Sequence, residues 1–291
     1  MDSNTINAKV ARRARISSAI RYGILLLIGF ILIYPVLWMV GGAFQYNADI
    51  FGNFSILPPL DRINWSNFPD AWQLSSNNTM VFYYMNTLRF LIPRVIFTLI
   101  SCTLTAYAVA RFNFPGKKII FTVIIVTLLM PEVAFRIPVF ILMRDMGLLN
   151  TFMSLWIQDA FAVNSFFVFM IIQFMRTIPK ELDEAAALDG CNALQTLWFI
   201  LMPVLRPILI SVGLLTFMWG MNDFLGPLIY LTGAQTRPLS LALSVLLDPT
   251  ELVQIGRVLA AATLSLLPTI AIFFACSRYF VEGVTNSGGK E

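Results

Sequence analysis

From Tyr22 to Ala48 the chain runs 27 residues without a charge, and from Val258 to Ser277 it runs another 20. Stretches of this length match the roughly 20 apolar residues that carry a helix across ~30 Å of hydrocarbon. Backbone polar groups in hydrocarbon must satisfy one another, so each stretch is expected to fold as a helix. The composition agrees. Of 291 residues, 58% are hydrophobic and 12% charged, and mean hydropathy is +0.76. Water-facing domains carry about 25% charged residues. These values exclude a disordered chain, a collagen-like fibre and a disulfide scaffold, and they argue against an ordinary soluble enzyme. The main solvent of this chain is lipid.

Four further apolar stretches lie between these two, and each contains charge. Val81 to Ala110 carries Arg89 and Arg94, and Ile119 to Met143 carries Glu132 and Arg136. Leu148 to Met175 holds Asp159, and Val204 to Gly226 holds Arg206 and Asp223. The expectation is an all-α polytopic membrane protein with six transmembrane helices. Residues 1–80 would form a tail, the first span and an external loop. Residues 81–280 would form a core of five spans, and residues 281–291 a second, irregular tail.

An even number of spans puts both termini on one side, and Lys and Arg decide which. The two tails and the connections around Arg111, Lys117, Lys118, Arg176 and Lys180 hold twelve basic residues, against four in the opposite loops. Both termini are therefore expected in the cytoplasm of a cell whose inner membrane the chain spans. The first stretch is too long for a signal-peptide core, and no small-residue cleavage site closes it, so it reads as a retained helix. The loops Gln45 to Met80 and Ile229 to Gly256 would be external, with Trp65 and Trp72 suited to an interfacial belt.

His is absent, and the three cysteines, Cys102, Cys191 and Cys276, have no metal-ligand spacing. They read as structural, with no metal site. The net charge of +4 fits basic cytoplasmic loops and membrane lipid rather than a nucleic-acid partner. There is no P-loop or other Gly-rich phosphate cradle. If this chain takes part in transport that consumes energy, another chain would supply it.

One connection is unlike an ordinary loop between spans. Arg176 to Pro203 reads RTIPKELDEAAALDGCNALQTLWFILMP. Pro179 suits the first turn of a helix. Glu181, Asp183 and Glu184 suit its positive N-terminal end. Three alanines favour helix, and Gly190 stands where a C-terminal cap belongs. The pattern predicts a helix of about three turns with a thin, small-residue face beside acids. Such a face allows close approach by another protein, with Glu184 and Asp189 available to basic groups. A linker helix joining two spans is the simpler reading of the same residues.

Glu184-Ala185-Ala186, then Gly190, Ile200 and Pro203, resemble the EAA motif of binding-protein-dependent ABC importer permeases, with Met202 where Leu is usual. Asn86-Thr87-Leu88, Ala106 to Arg111, Gly147 to Thr151, and Trp219 with Asn222-Asp223-Phe224 and Pro227-Leu228 resemble stretches of the carbohydrate-type permeases. The likeness covers roughly residues 81–280 and points to the six-span partner in permease pairs of the maltose type. The resemblance implies a coupling helix at Glu184–Gly190 that docks on an ATP-binding subunit. It also implies a second permease subunit, two ATP-binding subunits holding ATP and Mg, an extracytoplasmic solute-binding protein and a sugar cargo. No cofactor is implied in this chain, and no enzyme activity of its own. A permease for glycerol phosphate or another small polar solute fits the same motif. A stand-alone secondary transporter is the alternative from another class, but it would need internal repeats and its own coupling-ion site.

The charged residues within spans leave two readings. Glu132 and Arg136 are four apart and can neutralise each other on one helix face, while Arg89 and Arg94 reach to the outer interface. Alternatively Arg89, Arg94 and Arg136 line the path and attract an acidic saccharide. Trp219, Asn222 and Asp223 combine an aromatic ring with hydrogen-bonding groups, the chemistry that holds sugars. Asp159 and Asn164 read as groups that hydrogen-bond between helices.

Overall fold

The computed structural model describes residues 3–50, 52, 56–75, 77–247 and 254–288, with side chains described only from 17 to 277. The basic side chains Lys9, Arg12, Arg13 and Arg15, and Lys290 in the tail, lie outside the described residues. All regular elements among the described residues are helical. Eight helices carry the architecture: α1 (Ser3–Gly42), α2 (Met80–Arg111), α3 (Lys117–Leu129), α4 (Val133–Asp145), α5 (Ser165–Thr177), α6 (Glu181–Leu188), α7 (Ala193–Met221) and α8 (Ile255–Gly288).

Among the described residues, four helical segments are long and apolar enough to cross a membrane: Ser17–Gly42, Met80–Arg111, Ala193–Met221 and Ile255–Ser277. The third expected span is not one straight helix. It is α3 and α4, bent by 108° at Met130-Pro131-Glu132. A proline disfavours the helical region for the residue before it, and Met130 sits at φ −84°, ψ 134°. The fourth expected span is broken as well. Its first half forms two short 3₁₀ turns, Phe152–Leu155 and Ile157–Phe161, and only α5, 13 residues long, is regular apolar helix. Ala162, at φ 52°, ends the irregular part, and Asn164 caps α5 by accepting from the Phe167 N–H. The C-terminal tail differs from expectation too: α8 continues as helix through Gly288.

The chain divides into two compact units. One comprises residues 1–72 with 247–264. Within it, every residue from Ser17 to Leu37 on α1 is exposed, as suits a helix solvated by lipid. The loop after α1 is tied down by the Asn67 side chain, which donates to the Ala43 and Gln45 carbonyls, each at 2.9 Å. Phe44 packs edge-on against Trp65 and tilted against Phe68. At the start of α8, the Gly256 N–H donates to the Asn47 side chain and Arg257 Nε donates to the Asp70 carbonyl.

The other unit comprises residues 73–246 with 265–291, and α2 is its central post. It packs most extensively on α5 and α7. Toward the Arg111 end, Cys102, Ala106 and Val109 of α2 meet Phe167, Ile171 and Met175 of α5 and Leu201, Leu205 and Ile208 of α7, all at most 2% exposed. Toward the Met80 end, a second cluster joins Phe90 and Leu91 to Met143, Leu155, Met221 and Tyr230. Burial at this density holds the register of α2 against its neighbours.

Candidate functional site: the α6 segment and the charge cluster on α2

The segment between α5 and α7 is the first candidate. Ile178 precedes Pro179 and is extended, at φ −82°, ψ 126°, so Pro179 stands just ahead of the helix rather than in its first turn. The helix α6 is then eight residues, a little over two turns, with Glu181, Asp183 and Glu184 at its N-terminal end. Its other end closes as a Schellman cap. The Cys191 N–H donates to the Ala186 carbonyl at 2.9 Å and the Gly190 N–H to the Ala187 carbonyl at 3.1 Å. Gly190 has φ +83° with open space where a Cβ would be, so the backbone conformation alone calls for glycine.

Of the three alanines, Ala186 faces inward, 3% exposed. Glu184, Ala185, Asp189 and Gly190 are exposed. Leu188 is 90% exposed, an apolar side chain left uncovered by the described residues.

Two residues of α2 grip this segment. Arg111, 7% exposed, donates from both terminal nitrogens to the Ile178 carbonyl at 3.2 Å. Its Nε lies 3.1 Å from the Asp183 carboxylate. Neither of those two atoms has a hydrogen bond, so their contact is ionic without good donor alignment. Tyr107 donates its hydroxyl to the Ala193 carbonyl at 3.0 Å. The end of α2 therefore holds the chain before, within and after α6. Sequence reasoning matched Arg111 to a family stretch but gave it no role; a basic residue closing the last turn of a span was the available signal.

Ile200 and Pro203 do not lie on α6. They belong to α7, where residues Thr196–Leu201 form a π-helical turn. Pro203 cannot donate to residue 199 and its ring crowds that carbonyl, so the helix widens just before it. Pro203 lines a groove of about 570 Å³ with Val95, Leu99, Arg206, Gly213 and Phe217. Apart from Arg206 and Trp198 its walls are mostly apolar, so the groove offers few of the hydrogen-bonding groups that a sugar needs.

The second candidate is the set of charged residues expected along a path. Arg94 is held rather than free: its Nε lies 3.4 Å from Asp159 and its Nη1 3.1 Å from Asp223. Thr98 donates to the other Asp159 oxygen at 3.2 Å. Asp223 also accepts from the Gly226 N–H at 3.0 Å, capping the short helix Leu225–Tyr230. One cation thus ties α2 to the 157–161 turn and to the segment after α7. Asp159 joins elements as expected, whereas Asn164 acts mainly as the cap of α5. Glu132 and Arg136 form the i,i+4 pair at 3.0 Å. Arg89 donates to Asn86 at 3.0 Å. Trp219 stacks on Phe167 with centroids 5.1 Å apart and stays 49% exposed. Asn222 beside it donates to the Met218 carbonyl.

Short stretches far apart in the sequence converge on one loop. Asn86, fully buried, donates to the carbonyls of Gln235 and Arg237. The Thr87 hydroxyl accepts from the Leu239 N–H at 3.0 Å. The Asn150 side chain accepts from the Gly233 N–H and the Thr236 hydroxyl. Ser240 donates to the Asp223 carbonyl. The contacts of Asn86, Thr87 and Asn150 join residues about 80 to 150 positions apart, which sequence periodicity does not register.

The geometry is that of a polytopic helical protein with a short, externally bare helix gripped at the end of one span. The profile described as binding-protein-dependent transport system inner membrane component matches residues 99–286, and the chain belongs to that family. It is a multi-pass inner-membrane permease component, not an enzyme. It is 31% identical over 266 residues to the probable ABC transporter permease YurM of Bacillus subtilis, covering 88% of this chain and 83% of the relative. It is 29% identical over 276 residues to the lactose transport system permease LacG of Rhizobium radiobacter, covering 94% and 97%. In fold it matches a chain of a bacterial ABC transporter involved in the import of the acidic polysaccharide alginate. That match has a TM-score of 0.78 at 23% identity and covers 92% of this chain and 98% of the other.

Proposed function

We propose that this chain forms half of the membrane path of an ATP-driven importer of sugars or oligosaccharides. It pairs with a second permease subunit, with two ATP-binding subunits that hold ATP and Mg, and with an extracytoplasmic solute-binding protein. Both termini and α6 face the cytoplasm. The observation that carries the reading is α6 itself: a rod braced from behind by Arg111 and Tyr107, with Glu184, Ala185 and Leu188 bare. A braced, thin helix with an uncovered leucine is suited to sit in a partner's cleft and to transmit that partner's movement by packing.

The sugar cargo is supported by the transport function in the name of the lactose relative and by the exposed Trp219 ring beside Asn222. A neutral saccharide fits the charges better than an acidic one or a glycerol phosphate, because Arg94 is spent on two carboxylates and Arg136 on one within the chain. Purification of the tagged chain from its own membranes is the test. An ATPase and a second permease should come with it, and proteoliposomes should take up a labelled oligosaccharide only with ATP on the α6 side. A chain that purifies alone and drives uptake from an ion gradient overturns the proposal.

A further inference from the structure

The contacts of α2 lie at three levels along one helix. At the end nearest α6, Arg111 and Tyr107 hold the chain at Ile178, Asp183 and Ala193. Seventeen residues away, about 26 Å at 1.5 Å per residue, Arg94 holds Asp159 and Asp223. Another two turns on, Asn86 and Thr87 hold the loop at Gln235, Arg237 and Leu239. Pro93 lies inside the continuous helix next to Arg94. It cannot donate to the carbonyl of Arg89, which leaves α2 easiest to bend there.

From this we infer that α2 is the relay of the importer, and that Arg111 and Tyr107 are the positioning residues that lock the coupling helix to it. The inference rests on the importer reading above. The segment from Arg94 to Arg111 is packed on both α5 and α7 through fully buried side chains and has no proline. It moves as a rod. A displacement of α6 is passed to α2 through the bidentate guanidinium contact at Ile178 and the hydroxyl contact at Ala193. It arrives at the Arg94 cluster, where bending at Pro93 lets the far part of α2 stay with the 235–239 loop. The charged cluster is then the point at which the two ends of the path come to differ.

The test uses the complete importer in proteoliposomes and reads solute delivered per ATP hydrolysed. Tyr107→Phe keeps the ring in its packed site and removes only the bond to Ala193; Arg111→Gln removes the ionic contact and the fork. Each should lower the ratio, Arg111→Gln by about tenfold, the size of a typical coupling between sites. Arg111→Lys keeps the charge but not the fork and should fall between Arg111→Gln and wild type. A ratio equal to wild type in Tyr107→Phe and Arg111→Gln overturns the inference. So does a lower yield of assembled complex with an unchanged ratio, since that is a folding role only. If the wild-type complex contains no ATPase, or transports without ATP, the importer reading fails before any variant is made.

Discussion

Arg94 is one positive charge shared between two carboxylates, with the three side chains 12 to 25% exposed. Burying ions is costly, and the contact offsets that cost only while every partner is present. Arg94→Gln leaves Asp159 and Asp223 facing each other in a poorly solvated site. The expected loss is on the order of 2 kcal/mol, below the figure for a fully buried pair because water reaches part of the cluster. Adding Asp223→Asn removes one of the two stranded charges and should recover part of the loss. Thermal unfolding of the purified chain in detergent measures both. If Arg94→Gln unfolds at the wild-type temperature, the cluster is not structural. This role was only half legible in the sequence. That a charge within a span must find a partner follows from solvation. The pairing of Glu132 with Arg136 is local and follows from helical spacing. The partners of Arg94 lie 65 and 129 positions away, and no pattern along the chain marks them.

At the scale of elements, hydropathy located helices well where a helix is long and regular, as in α2 and α8, and for α7 it found the helix but placed its start eleven residues late. It failed to see breaks. Residues 119–143 and 148–175 are apolar enough to span, but composition averages over Met130-Pro131 and over the two 3₁₀ turns before Ala162. The proline was visible, whereas the 108° between α3 and α4 depends on what each half packs against. Ile124 of α3 joins the cluster around α5, and Met143 of α4 joins the cluster around Tyr230. The α6 segment was legible because its determinants are local: acids at one end, alanines in the middle and a glycine at the cap. Only its length was overstated, since Ile178 is held extended by Pro179. Pro131→Ala relieves the restriction on Met130. Spin labels at Phe121 and Leu142 should then move apart, toward the roughly 32 Å of a continuous helix. An unchanged distance would mean that packing, not the proline, sets the bend.

For the molecule as a whole, orientation decides whether the parts work together. The proposal needs α6 and both termini on the inner side and the loop after α1 on the outer side. The basic residues argue for this independently of any motif, because Arg111, Lys117, Lys118, Arg176 and Lys180 flank the α6 side of the helices. Cys191, the third residue beyond α6, offers a native probe, since it is a free, half-exposed thiol. With Cys102→Ala and Cys276→Ala in place, a membrane-impermeant maleimide should label Cys191 in inverted vesicles and leave it unlabelled in right-side-out ones. A cysteine placed at the exposed Trp65 position in a background without the native three should do the opposite. The reverse pattern would put the braced helix outside, beyond the reach of any ATP-binding subunit. Faster labelling of Cys191 in the chain alone than in the complete importer would further mark the bare face of α6 as the surface that a partner covers.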